Sequence, residues 1–225
     1  MKEFVAVVPA RAGSKGAPGK NMRDFAGIPL WRRAAEQGLS AGAGRVLVTT
    51  DIEAVLSAHH PDGIEAVARP AKLASDSAPM APVLLDLLAD PTLEGATIVL
   101  LQPTSPLRTD HDIRSCLDLY AGGEFELVLS ATETDRGILK YGTREGSRFA
   151  PLQSAEHCFS NRQALPAVWR PNGAVYVFER NWFLQNEGFV SDRIGMVEMP
   201  PERSYDIDTK ADFDRTESYF KTRSA

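Results

Sequence analysis

The feature that most limits the fold is an alternation of short apolar runs with segments of helical spacing. Runs suited to buried strands occur at 4–8, 45–50, 64–68, 97–101, 127–131 and 174–178. Between the first two, Leu30, Trp31, Ala34, Ala35 and Leu39 recur at helical spacing, with Arg32, Arg33, Glu36 and Gln37 on other faces. A Leu-rich second helix is predicted over 82–89. A third is predicted over 110–120, opened by a Thr109/Asp110 cap signal. Phe213, Thr216, Glu217 and Phe220 mark a last helix. Such alternation predicts an α/β fold around a mainly parallel sheet, in which ligands bind beyond the carboxyl ends of the strands.

From 134 to 170 the pattern changes to polar residues and scattered aromatics with few long apolar runs. This reads as an excursion from the core, either a loop-rich arm or a small dimerisation element, flanked by core segments 1–133 and 171–225. The 225 residues, 43% hydrophobic and 24% charged, suffice for one large domain with such an appendage. A net charge of −5 argues against a general nucleic-acid binder. Cys116 and Cys158 lie far apart without metal-ligand spacing, and only five apolar residues precede Pro9 and Arg11, so no signal peptide is expected. Reduced thiols and a cytoplasmic location follow. No segment approaches the roughly 20 apolar residues of a membrane span. The histidines at 59, 60, 111 and 157 form no ligand pattern and are expected at the surface.

Chemistry concentrates first at residues 9–21. The first apolar run breaks at Pro9 into a loop with Gly13, Gly16 and Gly19 together with Arg11, Lys15 and Lys20. Glycines allow close backbone approach to an anion and positive φ, and the cations offset phosphate charge. The loop fits neither familiar template. Five residues separate Gly13 from Gly19 and Asn21 follows Lys20, against the P-loop pattern; residue 11 is Arg, against the dinucleotide fingerprint. A solvated basic surface loop is the plainer alternative.

A second candidate, residues 100–108, ends a buried strand in a two-proline turn that presents Gln102, Thr104, Ser105 and Arg108, groups suited to a polyhydroxylated ligand or simply to a strand-to-helix connection. A third is Asp206-Ile207-Asp208-Thr209. In extended backbone both carboxylates project to one face, the kind of oxygen donor set Mg²⁺ prefers alongside waters and phosphates. Alternatively, Asp208 caps the last helix with Thr209 and Asp212, which leaves Asp206 without a role. A fourth, Arg170-Pro171-Asn172-Gly173, carries a strong turn signal and aims Tyr176 and Phe178 to one side. Arg69-Pro70 is a further polar strand exit.

Taken in order, Pro9-Ala-Arg-Ala-Gly-Ser-Lys-Gly with Lys20-Asn21, Leu101-Gln-Pro-Thr-Ser-Pro-Leu-Arg108, Arg170-Pro-Asn-Gly-Ala174 and Asp206-Ile-Asp208-Thr209 resemble the N-acylneuraminate cytidylyltransferases. The resemblance spans nearly the whole chain, and the spacing of Arg69-Pro70 and Ser75-Asp76 agrees with it. It implies a Rossmann-like nucleotidyltransferase fold, with a protruding arm, working as a homodimer. Such enzymes transfer CMP from CTP to the anomeric hydroxyl of a nine-carbon α-keto acid sugar, with Mg²⁺, releasing pyrophosphate. Carried over by motif, Arg11, Gly13, Ser14, Lys15, Lys20 and Asn21 would hold the triphosphate, and Arg69 would lie beside the nucleotide. Gln102, Thr104, Ser105 and Tyr176 would face the sugar. Asp206 and Asp208 would hold the metal, with Arg11, Lys20 and Asp208 most directly tied to the reaction. The arm would reach the partner's site with Lys140 and Arg162 to pair with the sugar carboxylate. Where relatives often carry a Ser after the Ser-Asp pair, this chain has Pro79 and Met80, and it stops soon after the last helix.

Phosphoryl-type transfer needs positioning and charge neutralisation more than covalent work from the protein, which suits this inventory. Two other readings stay open: a nucleotidyltransferase for another acceptor, such as an eight-carbon keto sugar or a phosphorylated alcohol, and a non-catalytic nucleotide-binding protein on the same fold.

Overall fold

The computed structural model describes residues 3–13, 16–75 and 77–224. Its first half runs β1 (Phe4–Ala10), β2 (Asp24–Phe25), β3 (Ile28–Pro29), α1 (Leu30–Ser40), β4 (Arg45–Thr50), α2 (Glu53–Leu56), β5 (Ile64–Ala68), α3 (Met80–Leu88) and β6 (Thr97–Leu100). There follow α4 (Asp110–Ala121), β7 (Leu127–Thr134), β8 (Gly142–Glu145), β9 (Arg148–Pro151), α5 (Ala155–Phe159), β10 (Val168–Glu179), α6 (Arg180–Gln185), β11 (Ile194–Glu198) and α7 (Lys210–Ser224).

Seven strands form one sheet in the order β11-β7-β10-β6-β1-β4-β5. β6, β1, β4 and β5 are mutually parallel, β11 is parallel to β7, and β10 runs antiparallel to both of its neighbours. The periodic residues of α1 and α4, among them Trp31, Ala34, Ile113 and Cys116, pack on one face. Leu84, Leu87 and Leu88 of α3 and Phe183 of α6 cover the other. Burial of apolar surface on both faces drives this layering. The fold is the expected Rossmann-like, mainly parallel arrangement. Thr109 caps α4 with a reciprocal capping box to Asp112.

Three departures from the sequence reading have local causes. β11 carries alternating exposed and covered residues around Gly195 at the sheet edge, so no apolar run announces it. The short α2, α5 and α6 span too few residues to show helical periodicity. Asn172-Gly173 does not turn the chain. β10 passes straight through it as a bulge, with ladder pairs resuming at Tyr176 after a register shift beyond Pro171 and with Gly173 at φ +78°.

Between Thr134 and Val168, which still pair in the main sheet, the chain forms a separate two-stranded sheet, β8–β9, and α5. This excursion exposes Tyr141, Phe149, Leu152 and Phe159, the last 90% accessible. Among the described residues, no helix is long and apolar enough to cross a membrane.

Candidate functional site

The carboxyl ends of β1, β5 and β6 open onto a cleft of about 200 Å³. The loop leaving β1 is fastened on several sides. Arg11 Nη1 donates to the Ser75 carbonyl at 2.8 Å, and Asn21 Nδ2 donates to the Arg11 carbonyl at 2.8 Å. The Ala12 N–H donates to Asp51 Oδ1 at 2.7 Å, beyond the end of β4. Gly19, at φ +65°, turns the chain into a short 3₁₀ turn, Lys20–Met22. Arg11, Lys20 and Asn21 line the cleft, and so does Arg69. Arg69 is buried, with Nη2 donating to the Thr49 carbonyl at 2.9 Å. Burial lowers the Arg69 pKa; nearby Asp51 opposes that shift and Arg11 adds to it. Gly13 is exposed on the loop. Ser14, Lys15 and Asp76 lie outside the described residues.

The acid segment faces these cations. Ile207 is fully buried against Phe25, Leu30, Leu107 and Phe213, and its N–H donates to the Thr104 carbonyl at 2.9 Å. The alternation of extended backbone therefore leaves Asp206 and Asp208 on the cleft side, and both line it. Lys20 Nζ donates to the Ile207 carbonyl at 2.6 Å and reaches Asp208 Oδ1 at 3.3 Å. A Cβ on Gly16 would stand 2.3 Å from the Asp208 carbonyl oxygen, so only glycine allows the loop to lie this close. The capping alternative resolves by one residue. Thr209 Oγ1 accepts from the Asp212 N–H, and Asp212 Oδ2 accepts from the Thr209 N–H, which releases Asp208 from the helix end.

Asp206 is half-buried, and its Oδ1 is buried without a hydrogen-bond partner among the described residues. Burial raises its pKa. The Thr104 hydroxyl and the Lys20 and Arg170 cations favour the charged form, while Asp208 disfavours it. The Tyr176 pKa is raised chiefly by burial and then by the charge of Asp206.

Gln102 and Thr104 line the cleft as well. Ser105 does not; it is buried, its hydroxyl aimed at the Asn172 carbonyl 3.5 Å away. Arg108 also faces inward, with Nη1 donating to the Ala174 carbonyl at 2.6 Å. Tyr176 is not among the residues that line the cleft; it packs on the core with its ring tilted against Phe189, 5.7 Å between centroids, and feels the charge of Asp206. Lys140 and Arg162 lie on the excursion, away from the cleft of their own chain; Arg162 pairs with Asp135 at 2.9 Å. The sequence reading missed Asp51, the Ser75 carbonyl and the charge of Arg170. Asp51 alone had a signal, as the first acidic residue after a strand run.

A family model described as cytidylyltransferase matches residues 5–219. The chain belongs to that family. It is 30% identical over 212 residues to an N-acylneuraminate cytidylyltransferase of Streptococcus agalactiae, an alignment covering 93% of this chain and 51% of that protein. The chain thus spans about half the length of the streptococcal relatives it matches. A CMP-N,N'-diacetyllegionaminic acid synthase of Legionella pneumophila is 28% identical over 224 residues, with 95% and 94% of the two chains covered. The fold of this cytidylyltransferase-family chain is shared with a solved CMP:2-keto-3-deoxy-manno-octonic acid synthetase complexed with CTP. The TM-score is 0.72 at 19% identity, over 99% of this chain and 100% of that one.

Proposed function

We propose that this chain transfers CMP from CTP to the anomeric hydroxyl of a nine-carbon, sialic acid-like α-keto acid sugar and releases pyrophosphate. The observation that carries the reading is the confrontation, across one cleft, of Arg11, Lys20 and Arg69 with the carboxylates of Asp206 and Asp208. Family membership supplies the nucleotidyl chemistry, and the names of the relatives point to keto acid sugars.

The residues fit Mg²⁺. Asp206 Oδ1 is a buried carboxyl oxygen with no donor among the described residues, and two carboxylates without sulfur or imidazole suit a hard cation that takes its remaining ligands from water and phosphate. Asp206 and Asp208 would hold it, and when bound it supplies charge neutralisation and polarisation at the α-phosphate. The chain's own groups do the rest. Arg11, Lys20 and Arg69 hold the triphosphate and stabilise the charge that gathers on departing pyrophosphate. Gln102, Thr104 and Tyr176 orient the sugar so that its hydroxyl oxygen bonds to the α-phosphorus as the bond from that phosphorus to the bridging oxygen breaks. The hydroxyl proton passes to solvent water as the new bond forms.

We further propose a homodimer. The exposed aromatic surface of the excursion would pack on a second copy, placing Lys140 and Arg162 against the sugar carboxylate in the partner's cleft. The free thiols of Cys116 and Cys158 fit a reducing compartment, the cytoplasm. A pyrophosphate-release assay with CTP and a panel of eight- and nine-carbon keto acids tests the reading. Release with a nine-carbon acid is expected; CTP binding without release for any acid would overturn it.

A further inference from the structure

The bulge in β10 leaves residues 172–175 outside the sheet ladder, and the carbonyls of Asn172 and Ala174 both turn to the segment after β6. Ser105 Oγ takes the first, at 3.5 Å, and Arg108 Nη1 the second, at 2.6 Å. The same Nη1 donates to the Gln102 carbonyl at 3.1 Å. Arg108 Nε donates to Gln37 Oε1 at 3.1 Å, and Gln37 Nε2 returns a bond to the Arg108 carbonyl at 2.6 Å. The side chain is only 2% exposed. Among the described residues no carboxylate is bonded to it, because Asp112, the acid whose charge it feels, is held by Arg203 and Thr109.

A buried cation bonded to carbonyls is a costly way to hold two loops together. What it holds is informative. One carbonyl belongs to Gln102 itself, whose amide carbon lies 3.6 Å from where a Cβ on Gly173 would stand. The other belongs to Ala174, two residues before Tyr176 on the same strand.

We propose that Arg108 is a positioning residue for the acceptor half of the cleft: by gathering the Gln102 and Ala174 carbonyls on one nitrogen, it sets Gln102 against the β10 bulge and anchors the strand that carries Tyr176. The inference rests on the proposed role of Gln102 and Tyr176 in holding the sugar. Loss of the guanidinium separates two segments that carry acceptor groups, and leaves the β1 loop, which is fastened elsewhere, in place.

Arg108→Met and Arg108→Lys test this with three readouts: pyrophosphate release, CTP affinity by calorimetry, and amide hydrogen exchange by segment. In Arg108→Met, exchange in 102–108 and 172–176 should rise about tenfold with 45–50 unchanged, in keeping with local rather than global opening. The kcat/KM for the keto acid should fall about a hundredfold, the scale of a misplaced reacting group, with CTP affinity within about threefold of wild type. Arg108→Lys, which keeps a cationic donor, should recover part of the loss and serves alone if the Met variant does not fold. Unaltered exchange in the two segments, or a fall in CTP affinity matching the fall in acceptor efficiency, overturns the inference. A wild-type protein silent with every keto acid overturns instead the acceptor reading on which it rests.

Discussion

Lys20 meets Asp208 at the mouth of the cleft, Nζ to Oδ1 3.3 Å, joining two segments 188 residues apart in sequence. The Asp208 side chain is 74% exposed, so the pair contributes little to stability. On the proposed function its value is positional, because an arriving triphosphate would compete for Lys20 and free the carboxylate. Asp208→Ala is expected to lower pyrophosphate release by about a hundredfold or more, the scale of losing one electrostatic group at a reacting centre, with folding retained. Turnover and thermal melting of the purified variant check this; undiminished turnover removes Asp208 from the reaction.

Gly16→Ala places a methyl group 2.3 Å from the Asp208 carbonyl oxygen, a contact the backbone has to relieve by moving. The loop and the acid segment should part. We expect a stability loss of about 1–3 kcal/mol, typical of overpacking, together with weaker CTP binding. Denaturant titration and calorimetry on the same samples decide; wild-type CTP affinity would show that the close approach is not needed.

Asp206 carries a pKa above its ordinary value of 3.8, chiefly through burial. A folded state that binds its proton more tightly than the unfolded chain loses stability as pH rises from the ordinary carboxylate range through the folded-state value, and the loss is then constant. In chelator-treated protein, Asp206→Asn should therefore melt higher than wild type at neutral pH, and the advantage should vanish below the ordinary carboxylate range, where both chains are uncharged at this site. A lower melting point for the variant at neutral pH would contradict the assignment. The same variant should be inactive, a stabilising change at a functional group.

Thr209→Ala removes the hydroxyl that accepts from the Asp212 N–H. Loss of the cap should destabilise the protein by about 1 kcal/mol, with turnover near wild type, since the cap and the carboxylates are separate groups. Thermal melts and steady-state rates check it; a collapse in rate would tie the cap to the site.

Lys140→Ala and Arg162→Ala should each raise the KM for the keto acid and leave that for CTP nearly unchanged. Mixing Arg162→Ala chains with Asp208→Ala chains should restore, at keto acid concentrations well below the Arg162→Ala KM, a rate that neither homodimer reaches, because one cleft in the hybrid would then carry both intact groups. Rates that merely average the two variants would place the arm's function within its own chain.

Much of this was readable in the sequence for definite physical reasons. Strands β4 and β5 lie in the parallel part of the sheet and read as apolar runs, and the Asp206-Ile207-Asp208 alternation declares one buried and two outward residues. The bulge at Asn172-Gly173 was not readable, since the dipeptide that permits a positive φ signals a turn equally well; only the resumed pairing of Tyr176 with Leu129 distinguishes them. Ser105 and Arg108 were misjudged for a related cause. Polar residues after a strand look outward-facing until the unpaired carbonyls that absorb them are known. The cap at Thr209 differed from the alternative at Asp208 by one residue, below what helix-end signals resolve.

The reversal of β10 between two parallel blocks of the sheet has a consequence for divergence. The cations assigned to the nucleotide leave β1 and β5, within residues 11–69, whereas the groups assigned to the sugar come from the end of β6 and from the strand that runs against it, within residues 102–176. On the proposed function the two substrates would be read by successive stretches of the gene. Mutations accumulating in the second could then exchange one sugar for another while the first keeps its nucleotide, and a lineage on this fold could broaden its range of acceptors without rebuilding its energy donor.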